Sequence, residues 1–448
     1  MDALGLGRKD QQKGEFCPRP GDKAGECRSS EIVSCGETEN INSSITIQSY
    51  YNSCKLAAKK KRNVKYRCPS LPMAPTLADL MALESRPPER LLEGCKAARL
   101  VTIEEHCATP FTVPVTSATW SQFLPEYLAG VKDRLGDVDK RLQIMDLNKI
   151  EAQIISLNQP GAQAFTDAAQ GVEYCQKVNQ FIYENYVQKH PKRFFAFAAL
   201  PTQDGKAAAV ELERCVMEYG VVGAMVNGYT ATSKLDEGLY LDDPQFDMLW
   251  EVAERLEKPI FIHPRTPLLS NIRTLADIPI MHGAPYGFGR ETVEHVIRLM
   301  DTGVFDRFPK LKFVLGHMGE GLSWVLPRTD STFRLYTAGW LPFSSFRTQC
   351  NMILAMRIEA RGPMKRTFLE YFQDNFIICT SGMPRTSALV NLMAETTVKH
   401  IMFSVDYPYE SIAEMRNWYE TVPVADETWK DMGYRNAVRL FSLPIKLE

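Results

Sequence analysis

From about residue 99 the chain settles into a repeat in which short apolar runs alternate with longer amphipathic stretches. The runs are L-V-T-I (100–103), Q-I-I-S-L (153–157), F-F-A-F-A-A-L (194–200), V-V-G-A-M-V (221–226), P-I-F-I (259–262), L-K-F-V-L (311–315), F-I-I-C-T (376–380) and I-M-F-S-V (401–405). Each is almost continuously apolar, as a strand buried on both faces should be. Between them, Ala168–Lys189, Lys206–Tyr219, Pro244–Glu257 and Glu291–Asp301 carry apolar positions at helical spacing. Eight βα repeats predict an α/β fold, a closed (β/α)8 TIM barrel over residues 97–448. A doubly wound open sheet is the alternative, but no Gly-rich phosphate turn follows the first run.

Residues 1–96 differ from everything after them. They are rich in Ser, Gly, Pro, Lys, Arg and Glu and show no sustained apolar period, which predicts a largely disordered extension with a short helix near Leu77–Glu84. K-K-K-R at 59–62 has the look of a nuclear-import or anion-binding patch, but in a polar segment it reads as solvated charge. Six of the 11 cysteines lie here (Cys17, Cys27, Cys35, Cys54, Cys68, Cys95), with no C-x-x-C spacing and no histidine among them. That pattern speaks against a zinc site, and without a secretory signal it also speaks against a disulfide framework.

Composition narrows the function classes. Of 448 residues, 45% are hydrophobic and 24% charged, with a formal net charge of -2, so no global field attracts nucleic acid or anionic lipid. No apolar stretch approaches the roughly 18 residues that span a bilayer. The opening M-D-A-L-G-L-G-R-K-D lacks the apolar core of a secretory signal. The expectation is a cytoplasmic protein without nucleic-acid or membrane partners.

In a barrel of this kind, chemistry sits at the C-terminal ends of the strands. The first strand ends in Glu104-Glu105-His106, the fifth in His263-Pro264-Arg265, the sixth in Gly316-His317-Met318-Gly319-Glu320 and the eighth in Asp406-Tyr407-Pro408-Tyr409. Three of the 7 histidines and an aspartate therefore point into one mouth from four strands. Because i and i+2 share a face of a strand, Glu104 and His106 can reach one point while Glu105 turns outward. An E-x-H pair with a distal His and a distal Asp is a mixed N/O set suited to Zn²⁺ or Mn²⁺, with Mg²⁺ also open. Cys107, one step past His106, should face away. His190, in K-H-P-K, His282, in an exposed-looking loop, His295, within a helix, and His400, where the eighth strand begins, fit structural roles.

The motifs E-E-H, F-I-H-P-R, L-G-H-M-G-E-G, T-S-G and F-S-V-D-Y-P together resemble the amidohydrolase-2 group of barrels. Within it they are most similar to the nonoxidative aromatic-acid decarboxylases of the γ-resorcylate and 2,3-dihydroxybenzoate type. The resemblance runs from about residue 99 to Leu447 and includes the closing R-N-A-V-R-L-F. It implies that Glu104, His106, His263 and Asp406 ligate or adjoin one divalent metal ion, with no organic cofactor. It also implies that His317 and Glu320 form a proton-handling pair. Arg265, Arg328, Phe288, Tyr409 and Asn227 would meet the substrate, a small aromatic acid. Relatives of this kind assemble as homodimers or homotetramers. The chain departs from the pattern in three places: the extension 1–96, roughly 20 extra residues at about 336–357, and Tyr409, where some relatives have Phe and others Tyr.

The reaction so implied is loss of CO₂ from an ortho-hydroxylated aromatic acid of dihydroxybenzoate, salicylate or orsellinate type, after protonation of the ring carbon. Asp406 is the candidate acid, with His317, polarised by Glu320, beside it. Two other classes stay open. One is a mononuclear metal-dependent hydrolase of an ester, lactone or amide. Against it, binuclear hydrolases of this fold use H-x-H on the first strand and a bridging lysine on the fourth, whereas this fourth strand ends in Met225-Val226-Asn227-Gly228. The other is a non-catalytic product whose extension and insertion prevent folding.

Overall fold

The computed structural model describes residues 99–111, 125–337 and 364–447. The extension expected over 1–96 and most of the insertion expected at 336–357 lie outside the described residues. Eight parallel strands run in sequential order: β1 (Leu100–Cys107), β2 (Ile150–Leu157), β3 (Phe194–Ala199), β4 (Gly223–Asn227), β5 (Ile260–His263), β6 (Phe313–Leu315), β7 (Phe376–Cys379) and β8 (Ile401–Met402). All eight coincide with the apolar runs. The seam between first and last is joined by a parallel bridge of Glu105 with Tyr407. Asp406 N donates to Glu104 O at 2.9 Å and His106 N to Tyr407 O at 2.7 Å. This closure is the TIM barrel the repeat predicts, not an open sheet.

The layers explain why the runs carry no polar face. Val314 and Ile377 point into the barrel with Val101, Ile103, Ile154, Phe197 and Phe261, while Phe313, Leu315, Phe376 and Ile378 pack outward under the helices. Tyr434, Val438 and Phe441 from the C-terminal segment fill the base of the inner core. The helical stretches form α1 (Ala168–Ile182), α2 (Gly205–Tyr219), α3 (Asp247–Arg255), α4 (Gly287–Asp301) and, after β6, α5 (Leu322–Thr337). α2 has its ends written locally: Asp204 caps the N–H groups of Lys206 and Ala207, and Gly220 takes the left-handed conformation at φ 64°.

Two elements differ in length from the pattern. β1 runs on through Glu104–Cys107, so the polar triplet is strand rather than turn. β8 is only two residues long because side chains replace its ladder: Ser404 N donates to Thr380 Oγ1 at 3.1 Å and Val405 N to Glu105 Oε1 at 3.2 Å. Among the described residues no helix is long and apolar enough to cross a membrane.

Candidate metal centre at the barrel mouth

An irregularity in β1 decides which carboxylate enters the mouth. Thr102 pairs with Gln153 and Glu105 with Ile155, so β1 spends one more residue than β2 over the same interval. Such a bulge shifts the alternation of faces by one. Val101 and Ile103 point inward below it, and Glu104 and His106 point inward above it. Glu105 goes into the seam, where it accepts from Ser404 Oγ at 3.1 Å, Val405 N at 3.2 Å and Tyr407 N at 3.1 Å.

Glu104, His106, His263 and Asp406 each offer one donor atom, all within 4.8 Å of one another. His106 Nε2 lies 3.0 Å from Asp406 Oδ1, and His263 Nε2 lies 3.9 Å from Glu104 Oε1. The two imidazoles meet edge to face at 4.6 Å. Glu104 Oε1 is buried without a hydrogen-bond partner, and His106 Nε2 and Asp406 Oδ1 are buried facing each other. A buried oxygen is seldom left unpaired; one aimed at the same point as two imidazoles and a second carboxylate fits a divalent cation bound by nitrogen and oxygen. Ser156 Oγ sits 3.3 Å from the other nitrogen of His106, as an outer partner of a ligating ring would. Asp406 holds a left-handed φ of 80°, a strained conformation that turns its carboxylate inward. Burial, with His106 beside it, keeps the pKa of His263 well below the ordinary histidine range, so the ring is neutral and able to ligate.

His317 stands between two carboxylates. Its Nδ1 is 2.9 Å from Glu320 Oε1 and its Nε2 is 3.3 Å from Asp406 Oδ2. The turn carrying them is left-handed at His317, Met318 and Glu320. It fits because Gly382 leaves space for the imidazole: a Cβ there would lie 2.8 Å from His317 Cδ2. Burial opposes charge on His317, but Glu320, Glu104 and Asp406 outweigh it and hold its pKa well above the usual value. Burial likewise raises Asp406, yet its bonds to His106 and His317 more than reverse that and leave it well below the usual carboxylate range.

The expected substrate contacts divide. Tyr409 donates to Asn158 Oδ1 at 2.6 Å with its ring 5.9 Å from that of His106. Asn227 lies opposite His263 in the sheet; Gln163 Oε1 accepts its backbone N–H at 3.1 Å, and its own Oδ1 is buried and unpartnered. Phe288 is partly buried at the start of α4, next to Gly289, where a Cβ would lie 2.7 Å from Glu320 Oε2. Arg265 is held differently: its guanidinium lies 3.9 Å over Tyr229 and donates to the carbonyls of Tyr229 and Gln163. Arg328 is exposed on α5, beside a surface hollow lined by Trp324, Phe333 and Asn391, and is not brought to the donor cluster within one chain.

Of the remaining histidines, His282 is buried rather than exposed, with Nε2 2.8 Å from Leu275 O, and His295 Nε2 accepts from Leu241 N at 3.1 Å. Both serve structure. Cys107 does face away, donating to Ser156 O at 3.3 Å. Sequence reasoning missed Cys379 and Ser381, which both reach Glu104 Oε2. The T-S-G run marks the place, but a lone hydroxyl carries too little signal.

The family model for "Amidohydrolase" matches residues 119–443, well over half of the chain. The chain belongs to that family. It is 38% identical over 345 residues to the gamma-resorcylate decarboxylase of Rhizobium sp. (strain MTP-10005), covering 77% of this chain and 98% of the relative. Among solved structures it is similar to a dihydroxybenzoic acid decarboxylase from Polaromonas sp. JS666 with bound manganese and the inhibitor 2-nitroresorcinol. That match has a TM-score of 0.69 at 36% identity and covers 78% of this chain and 98% of that one. It is also similar to the 5-carboxyvanillate decarboxylase of Novosphingobium aromaticivorans, complexed with manganese and 4-hydroxy-3-methoxy-5-nitrobenzoic acid. Here the TM-score is 0.68 at 26% identity, with 80% and 99% covered.

Proposed function

We infer that this chain is a metal-dependent nonoxidative carboxy-lyase acting on an ortho-hydroxylated aromatic acid of dihydroxybenzoate, salicylate or orsellinate type. The observation that carries the reading is the convergence of buried donor atoms from Glu104, His106, His263 and Asp406 on one point, in a chain whose relatives are decarboxylases. Glu104, His106, His263 and Asp406 would hold a divalent ion, manganese or zinc foremost, and the ion would supply Lewis acidity toward an oxygen-rich substrate. Expelling CO₂ directly would leave an aryl carbanion with no resonance outlet, so the ring carbon is protonated first. Asp406 delivers that proton. His317, 3.3 Å away, stores it, and Glu320 fixes the imidazole from its other side. Loss of CO₂ then restores aromaticity. Tyr409, Asn227 and Phe288 bound the space for the ring. Arg265 acts by shaping the wall, and Arg328 has no partner role in a single chain's mouth. We further propose a cytoplasmic homodimer or homotetramer. The test is to incubate metal-replete protein with a panel of 2-hydroxybenzoates and, in parallel, aryl esters and lactones. CO₂ release without ester or lactone cleavage is the expected result, and the reverse would assign a hydrolase.

A further inference from the structure

The two oxygens of Glu104 have opposite surroundings. Oε1 is buried, unpartnered and turned toward His263. Oε2 is gripped from the end of β7: Ser381 Oγ donates to it at close range and Cys379 Sγ donates from 3.4 Å. Thiol and hydroxyl lie 3.3 Å apart, and all three side chains are fully buried. Residues 379 and 381 share a face by the i, i+2 rule. Ser381 Oγ also accepts from the backbone N of His317 at 3.2 Å. The third wall is Gly316, where a Cβ would lie 2.2 Å from Oε2. The ends of two strands, β6 and β7, are therefore shaped around one oxygen.

We propose that Ser381 and Cys379 are positioning residues that pin Oε2 of Glu104, so that the carboxylate offers Oε1 alone to the metal ion. Ser381 also ties that orientation to the turn bearing His317. This rests on the metal reading above. A carboxylate with both oxygens free can rotate about its last bond; donors on one oxygen remove that freedom before the ion arrives. Outer partners of ligating groups typically contribute about 10–100-fold in metal affinity. The hydroxyl is the stronger donor and the thiol the weaker.

The experiment is a Mn²⁺ titration of metal-stripped full-length protein, reading the free-ion paramagnetic resonance signal, with thermal unfolding measured alongside. Ser381→Ala should weaken Mn²⁺ binding by about 10–100-fold and Cys379→Ala by the lower end of that range. Cys379→Ser keeps a donor and should restore binding. A purely structural role would lower the unfolding temperature and leave the Kd of the folded protein alone. Folded Ser381→Ala binding Mn²⁺ within about twofold of wild type overturns the inference while leaving the metal reading intact. If Ser381→Ala does not fold, Cys379→Ala decides by the same criterion. Failure of the wild-type chain to bind Mn²⁺ removes the reading and the inference together.

Discussion

Asp406 touches two histidines, at 3.0 and 3.3 Å, and in the proposed reaction it serves both as a ligand and as the last carrier of a proton. Substitution can separate the two jobs. His263→Ala removes a neutral nitrogen, and metal content measured by elemental analysis should fall. Asp406→Asn keeps shape and one oxygen for the ion but cannot pass a proton. With metal saturating and occupancy measured beside turnover, it should lose about 10²–10⁴-fold in activity. Near-wild-type turnover there, with His317→Asn dead, would route the proton through His317 and reduce Asp406 to a ligand. At this scale much was legible: E-x-H, H-P-R, H-M-G-E and D-Y-P each put a chemical group at a strand end. Arg265 was ambiguous because a guanidinium after a strand serves a carbonyl as readily as a substrate. Cys379 and Ser381 were hidden because contacts across 275 and 277 positions leave no local pattern.

At the level of strands, the Glu105 side chain reinforces the seam between β1 and β8. Glu105 accepts from two backbone N–H groups that a longer β8 would have engaged by ladder bonds. Glu105→Gln turns a donor toward one of them and strands it. The expected loss is about 1–3 kcal/mol, the usual cost of an unsatisfied buried group, read as a lower denaturant midpoint with unchanged slope. A midpoint equal to wild type would mean that the ladder alone holds the seam. The eight apolar runs foretold the eight strands because burial on both faces leaves a compositional mark. The bulge left none. Counted strictly by twos from Val101 and Ile103, alternation would have sent Glu105 into the mouth; only the pairing with β2 shows the extra residue.

For the whole molecule, the expectation concerns what can be removed. The sequence of residues 1–96 carries no sustained apolar period and none of the candidate site residues, and on that ground we propose that it is dispensable. A chain beginning near Ala97 should keep the metal content and turnover of the full protein, and insolubility of that truncation would refute the claim. Removing about 20 residues around 336–357 should likewise leave metal binding intact, because βα connections tolerate insertion; lost binding would mean that the stretch contributes to the site. The plugged base has a consequence for how the protein is made. β1 rests on the last stretch of the fold: a Cβ at Gly433 would lie 2.8 Å from Leu100, and Phe403 N donates to Met432 O at 2.8 Å. Ribosomes add about 5–20 residues per second, so the first strand waits tens of seconds for its seal. Throughout that interval the apolar bore of the nascent barrel lacks the residues that fill its base.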